Sequence, residues 1–174
     1  MDRILLFAFG ALTLLPLSST AQNEALWLRY PAISPDGSSI VFSYQGDLWR
    51  VDASGGTASL LTTNEAYEHS PVWSHDGKWI AFASDRHGNN DVFIMPSTGG
   101  PATRLTYNSA NDVPSDLTPD NSAVLFSSNR LYSAADRQFP SGRFGDLYQV
   151  PVGGGEALRV MPTAAVNASY SPDG

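Results

Sequence analysis

Short apolar and β-branched runs alternate with turn residues along most of the chain. Three runs share one arrangement, an aromatic residue two places after a β-branched one, at positions 40–42, 80–82 and 124–126. Runs of this length, separated by Gly, Pro, Asp and Asn, are typical of β-strands joined by tight turns. We therefore expect an all-β protein.

A tetrapeptide with turn character repeats ahead of each of these runs. Ser-Pro-Asp-Gly at 34–37 returns as Ser-His-Asp-Gly at 74–77, Thr-Pro-Asp-Asn at 118–121 and Ser-Pro-Asp-Gly at 171–174. The Asp-to-Asp spacings are 40, 44 and 53 residues. Pro and Asp suit the middle of a type I turn, and Gly or Asn accepts the positive φ that follows. Each copy predicts a hairpin turn.

A second anchor follows each tetrapeptide, as Asp-Leu-Trp at 47–49, Asp-Val-Phe at 91–93 and Asp-Leu-Tyr at 146–148. A glycine pair lies eight residues after each Asp, and an aliphatic residue lies fourteen after it, at Leu61, Leu105 and Val160. These intervals predict second strands at 40–43, 80–83 and 124–127 and third strands at 48–51, 92–95 and 147–150. The aliphatic position marks a fourth strand.

Each unit is thus a predicted four-stranded meander. The units cover about 30–64, 65–107 and 108–162, a fourth starts at 163–174, and residues 22–29 form a lead-in segment. Repeated sheets of this size pack face to face around an axis, so the predicted fold is a β-propeller with four-stranded blades. An open β-sandwich is the alternative. Propellers close with four to eight blades, so we expect an incomplete ring of about three and a half blades.

The first 21 residues have the order of a secretory signal peptide. Arg3 precedes an apolar run at 4–17 and small residues at 18–21, with cleavage expected before Gln22. A membrane anchor is the alternative, but 14 apolar residues interrupted by Gly10 and Pro16 fall short of the roughly 20 that span a bilayer. We expect an exported protein without a membrane span after cleavage.

Charge and composition exclude some function classes. Ten basic residues against 17 acidic ones give a net charge of −7, so a nucleic-acid partner is not expected, because phosphate binding needs clustered positive charge. The chain has no cysteine, which excludes a disulfide scaffold and is compatible with an oxidising compartment.

We predict no catalytic, cofactor-binding or metal-binding residues. His69, His75 and His87 all lie in the second unit, and His75 stands at the Pro position of its turn. Residues 85–91 carry oxygen ligands that would suit calcium but lack the spacing of a calcium loop, so an exposed turn is expected there. The three anchor Asp residues recur at one position, which indicates a hydrogen-bonding role at the start of each third strand.

The units differ mainly between the second-strand Phe and the third-strand Asp, where the interval is 5, 9 and 20 residues. These loops emerge on one face of a propeller, and binding often involves such loops. The longest, at 128–145, mixes arginine and aromatic residues that are favoured at interfaces. The predicted contacts with a partner or peptide are Arg130, Tyr132, Arg137, Phe139, Arg143 and Phe144. The alternative is an insertion folded over its own blade.

The repeats resemble the Pro-Asp type propeller repeats of TolB, the tricorn proteases and the dipeptidyl-peptidase propellers. The resemblance is carried by 34–37, by Ile-Ala-Phe-Ala-Ser-Asp-Arg at 80–86, by 91–93 and by Gly-Gly-Pro-Ala-Thr-Arg-Leu-Thr at 99–106. WD-repeat proteins fit worse, because no Gly-His and Trp-Asp pair occurs. The TolB family places an α/β domain before its propeller, whereas here only eight residues separate Ala21 from Tyr30.

A propeller directly after a signal peptide most resembles the secreted tricorn-like serine peptidases of bacteria, in which propellers precede a PDZ module and a catalytic domain. The resemblance implies a periplasmic or secreted propeller that gates or guides peptides or unfolded protein to a serine nucleophile encoded later. Its expected partners are those substrates and the downstream domains of the same chain, and oligomerisation stays open. No catalytic residue of the family maps onto positions 1–174. The alternative is a non-enzymatic propeller that binds an envelope protein, as TolB does.

Overall fold

The protein is an all-β propeller with three four-stranded antiparallel sheets in the part of the chain that the structure describes. This computed structural model describes residues 27–130, 145–161, 165 and 167–171. Each sheet is a meander in which strands adjacent in sequence are also hydrogen-bonded neighbours. The first strands of consecutive sheets pack beside one another, as expected around a propeller axis. The predicted fold class is confirmed.

We call the sheets blades 1, 2 and 3. Blade 1 contains β1 (Arg29–Ile33), β2 (Ser39–Tyr44), β3 (Asp47–Asp52) and β4 (Ser59–Leu60). Blade 2 contains β5 (Glu68–Trp73), β6 (Trp79–Ser84), β7 (Asp91–Pro96) and β8 (Thr103–Arg104). Blade 3 contains β9 (Asp112–Leu117), β10 (Ala123–Ser128), β11 (Asp146–Pro151) and β12 (Leu158–Met161).

The repeated tetrapeptides close the hairpins between first and second strands. The fourth residue of each has a positive φ, 72° at Gly37, 69° at Gly77 and 59° at Asn121. Its backbone N–H donates to the carbonyl of the first residue at 2.7–2.9 Å in all three blades. The turn Asp accepts hydrogen bonds from hydroxyl and backbone N–H groups of its own turn, as Asp120 does from Thr118 and Ser122. The turn prediction is confirmed for these three copies, whereas the fourth copy, at 171–174, lies mostly outside the described residues.

The fourth strands are shorter than the spacing suggested. β4 and β8 contain two residues each, so Leu61 and Leu105 follow these strands rather than lying inside them, whereas Val160 lies within β12. The backbone N–H groups of Leu61 and Leu105 still donate to the third strand, to Leu48 O and Val92 O at 2.8 Å. The chain leaves the ladder immediately afterwards, because it must return to the axis to begin the next blade.

Two hydrophobic cores lie between the blades. The core between blades 1 and 2 contains Val41 and Leu48 together with Ile80, Phe82, Phe93 and Met95. In the core between blades 2 and 3, β6 and β7 contribute the residues that alternate with those in the first core. Its members are Ala81, Val92, Ile94, Leu105, Leu117, Val124, Phe126, Tyr148 and Val150. Side chains on a strand alternate between faces, so β6 and β7 are buried on both sides.

One backbone hydrogen bond recurs at the same place between each blade and the chain that follows it. Glu68 N–H donates to Gly46 O at 2.8 Å, and Asp112 N–H donates to Asn90 O at 2.7 Å. Ala165 N–H donates to Gly145 O at 2.7 Å, so the chain beyond blade 3 begins with the same link. Since the links recur, Glu68, Asp112 and Ala165 occupy equivalent positions.

Candidate functional site

The variable loops gather at one face of the propeller, which we call the loop face. It is formed by the second-to-third-strand connections at 45–46 and 85–90 and the ends of the connection at 129–145. The connections between blades, at 61–67 and 105–111, lie at the same face, because each is hydrogen-bonded to the neighbouring loop. The opposite face carries the hairpin turns, which have the same backbone hydrogen bond in all three blades.

Blades 2 and 3 each contain a buried carboxylate paired with an arginine at the loop face. Arg86 pairs with Glu68, and Arg130 pairs with Asp112, and both carboxylates are fully buried. Arg86 lies over the ring of Phe93, with 4.3 Å from its guanidinium carbon to the ring centroid. Burial raises the pKa of each carboxyl, and the arginine cation opposes that shift.

The predicted partner contacts fall mostly outside the described residues. Arg130 is described, and its side chain is 12% exposed. It donates to Ser128 and lies 5.0 Å over Phe126 and 4.9 Å over Tyr148. This cation is therefore engaged inside blade 3, and its contact with a partner stays a prediction. The other predicted contacts, which lie outside the described residues, are Tyr132, Arg137, Phe139, Arg143 and Phe144.

The three anchor Asp residues tie the third strand of each blade to its fourth strand or to the chain that follows it. Asp47 accepts a hydrogen bond from the backbone N–H of Asn64 at 3.1 Å. Asp91 pairs with Arg104 at 2.7 Å, and Asp146 with Arg159 at 2.8 Å. The structure thus shows the expected hydrogen-bonding role for Asp47, and ion pairs with arginine for Asp91 and Asp146.

The histidines lie in separate environments. His69 packs between the rings of Tyr30 and Tyr67, at 5.3 and 5.1 Å, and burial lowers its pKa, which favours the neutral ring. His75 Nε2 lies 2.9 Å from Leu117 O and links the hairpin turn of blade 2 to blade 3. His87 stacks on a phenylalanine ring of blade 2.

One histidine approaches a serine hydroxyl. Nδ1 of His69 lies 3.0 Å from Oγ of Ser70, and Ser70 has a positive φ of 51°. Such strain can mark a nucleophile, but Tyr30 has a φ of 52° at the same position of blade 1. Both residues sit where the register of the first strand shifts. The backbone shape therefore belongs to a bulge that the two blades share.

An open cleft of about 510 Å³ lies at the loop face beside blade 1. Its walls are the Gln45–Gly46 turn and the connection at 64–67, with Trp27 and Arg29 at one end. Trp27 is 75% exposed and Tyr67 37%. We call this the blade 1 cleft. Sequence analysis missed it, although the short loop at 45–46 was visible as the smallest of the three intervals.

Comparison with known proteins places this fold in a family. A family model described as the tricorn protease N-terminal β-propeller domain matches residues 25–174. The chain belongs to this family. The resemblance to tricorn-type propellers that the repeats indicated is therefore confirmed.

Curated relatives of the tricorn propeller chain are much longer than it is. Tricorn protease homolog 1 of Streptomyces coelicolor is 35% identical over 81 residues, which cover 47% of this chain and 7% of the relative. The uncharacterized peptidase YuxL of Bacillus subtilis is 30% identical over 111 residues, which cover 55% of this chain and 16% of the relative. The uncharacterized protein Atu1656 of Agrobacterium fabrum is 32% identical over 104 residues, which cover 56% of this chain and 35% of the relative. The chain thus spans about a third or less of these relatives.

Solved structures agree on the fold. The crystal structure of the tricorn protease superposes with a TM-score of 0.60 at 22% identity, covering 76% of this chain and 13% of the other. The crystal structure of TolB from Acinetobacter baumannii superposes with a TM-score of 0.58 at 24% identity, covering 76% of this chain and 32% of the other. Within the described ranges, the tricorn propeller chain has no helix with the length and hydropathy of a membrane span.

Proposed function

We propose that this chain is the amino-terminal propeller domain of an exported serine peptidase, where it gates or guides peptide substrates to a catalytic domain encoded beyond residue 174. The single observation that carries the proposal is membership of the tricorn N-terminal propeller family across residues 25–174. Relatives with tricorn protease and peptidase in their names support it. The parent protein acts in the periplasm or outside the cell, after removal of residues 1–21.

The geometry of the loop face supports a guiding role. The second-to-third-strand loops differ in length between the blades, and those of blades 1 and 2 lie at this face, while the opposite face repeats one hairpin turn. A rigid scaffold with varied loops on one side is a common arrangement for recognition. The buried carboxylates of blades 2 and 3 at this face, Glu68 and Asp112, are each paired with an arginine of the adjoining loop.

Acyl transfer by an activated serine would be performed by the catalytic domain. An activated serine needs a base within hydrogen-bond reach and a third group that orients the base. The described Ser70 and His69 approach each other within a bulge whose shape recurs at Tyr30. We assign this contact a role in the fold, and the nucleophile to the downstream domain.

Hydrolysis by the complete protein tests the proposal. We expect cleavage of fluorescein-labelled casein that is abolished by a fluorophosphonate, with the covalent label on a serine beyond residue 174. Ser70→Ala is the matched control and should cleave at the wild-type rate. A folded complete protein that cleaves nothing would contradict the proposal and favour the TolB-like binding propeller. A label on Ser70 would contradict the assignment of the nucleophile.

A further inference from the structure

The blade 1 cleft corresponds to a place that blade 2 fills with its own loop. The connections at 61–67 and 105–111 have the same length and share an Asn-x-Ala sequence, at Asn64 and Ala66 and at Asn108 and Ala110. Each Asn side chain accepts a hydrogen bond from the Ala N–H, at 3.0 Å in blade 1 and 2.9 Å in blade 2. The two segments therefore have the same local turn.

In blade 2, a carboxamide occupies this turn. Nδ2 of Asn89, in the longer loop at 85–90, donates to Asn108 O at 3.0 Å and to Ala110 O at 2.8 Å. One amide group thus bridges two backbone carbonyls. This contact holds the loop of blade 2 down on the connection between the blades.

Blade 1 has the two acceptors without that donor. Its turn is only Gln45–Gly46, four residues shorter than the loop of blade 2, and the Gln45 amide lies 3.2 Å from the Tyr44 hydroxyl. Within the described residues, Asn64 O and Ala66 O receive no hydrogen bond. Asn64 and Ala66 both line the cleft of about 510 Å³.

The rest of the cleft suits an extended peptide. Trp27 and Tyr67 offer exposed aromatic surface, and aromatic residues of this kind are enriched in interface cores. Glu65 and Arg29 put one charge of each sign at the rim, so neither a strongly acidic nor a strongly basic ligand is favoured. A neutral amide donor satisfies the carbonyls, and an apolar neighbour covers the rings.

We propose that the blade 1 cleft binds a peptide segment that presents an Asn or Gln carboxamide next to an apolar side chain. The carboxamide donates to Asn64 O and Ala66 O, as Asn89 does to the equivalent carbonyls of blade 2. The apolar side chain packs against Trp27 and Tyr67. This inference rests on the proposed function, because it names the peptide feature that the propeller selects.

Fluorescence anisotropy with the complete protein tests the proposal. The probe is fluorescein-labelled Gly-Ser-Gly-Phe-Asn-Pro-Gly-Ser-Gly, and its integrity is checked by mass spectrometry. Two matched probes carry Leu or Asp in place of Asn, since neither side chain can donate an N–H. We expect both to bind about tenfold more weakly. Equal binding of the three probes would overturn the proposal, and so would no binding of the Asn probe.

Two variants locate the binding. Replacing Gln45–Gly46 with the sequence of residues 85–90 should fill the cleft and remove binding. Trp27→Ala, which needs no change of backbone, should weaken binding about tenfold. Trp79→Ala removes another exposed tryptophan, 40% exposed at the start of β6, and should bind like the wild type. Wild-type affinity in Trp27→Ala and in a folded loop variant would contradict the assigned site. A protein that shows the expected probe pattern but no casein hydrolysis would refute the proposed function alone.

Discussion

Replacing Arg86 with methionine removes the cation that faces the buried carboxylate of Glu68. Glu68 is fully buried, whereas the Arg86 side chain is 19% exposed. Methionine keeps much of the apolar stem and its contact with Phe93, so the lost charge dominates the effect. The variant therefore measures what an unpaired carboxylate costs between blades 1 and 2.

The expected cost follows from burial. Removing one partner of a buried ion pair destabilises a protein by about 3–5 kcal/mol, because the other charge is left without compensation. Since Arg86 is partly exposed, we expect the lower end, about 3 kcal/mol. That free energy corresponds to about a hundredfold change in an opening equilibrium.

The cost should depend on pH. Burial raises the pKa of the Glu68 carboxyl above its ordinary 4.5, and loss of Arg86 raises it further. A raised carboxyl pKa contributes stability that is fully present below the unfolded pKa and is lost as pH rises through the folded pKa. The destabilisation by Arg86→Met should therefore be largest at pH 8 and diminish as pH falls toward 4.5.

Native-state hydrogen exchange of the complete protein, read by mass spectrometry, measures the opening of β5–β7 without requiring the whole protein to unfold. Arg86→Met should reduce protection there about a hundredfold at pH 8. Lys78→Met breaks the exposed pair with Asp76 and should leave protection within about a factor of two. Adding Glu68→Leu to Arg86→Met should restore most of the protection, because a neutral apolar pair carries no desolvation penalty. A change under about fivefold in Arg86→Met, or no recovery in the double variant, would refute the reasoning.

The turns and the amino terminus carry the remaining predictions. Gly77→Val puts a β-branched residue at a φ of 69° and should destabilise blade 2 by about 1–2 kcal/mol. Amide hydrogen exchange in β5 and β6 should become faster, and an unchanged exchange rate would contradict the assigned turn conformation. The pKa of Asp120 is lowered to about 2 by hydrogen bonds from Thr118 and Ser122, so carbon-13 NMR should find its midpoint there. Stability from Asp120 is present above its ordinary pKa of 3.8 and lost as pH falls toward 2, and a midpoint near 3.8 speaks against these bonds. Amino-terminal sequencing of the exported protein should start at Gln22, and retention of residues 1–21 contradicts cleavage. Residues 22–174 expressed alone should aggregate or fold poorly, because Ile33 and Leu60 are 62% and 42% exposed. A sharp cooperative melt of a soluble monomer would contradict this expectation.

Most of the fold was predictable because its signals are local. The turn tetrapeptides need a positive φ at one residue, and Gly37 and Asn121 mark those positions in the sequence itself. The second-strand aromatics Phe82 and Phe126 are buried as the repeat predicts, since the same packing position recurs in each blade. The fourth strands were less predictable, because Leu61 makes a ladder hydrogen bond but lies one residue past β4.

The candidate sites depend on contacts that the repeat does not show. Glu68 and Arg86 are eighteen residues apart and look like ordinary surface charges in the sequence. The position of blade 1 that is equivalent to Glu68 holds Leu28, so blade 1 has no such ion pair and the repeat does not reveal it. The blade 1 cleft arises only when the short turn is placed against the connection at 64–67, which requires the three-dimensional structure.

Photo-crosslinking of a peptide substrate to the complete protein tests the central claim most directly, namely that the propeller receives peptides on its loop face. A casein-derived peptide with a benzophenone side chain is irradiated with the protein, and the attachment sites are mapped by mass spectrometry. Our account predicts crosslinks in the segments at 45–46, 64–67, 85–90 and 105–111. Crosslinks confined to the hairpin turns at 34–37, 74–77 and 118–121, or none within residues 27–161, would contradict it.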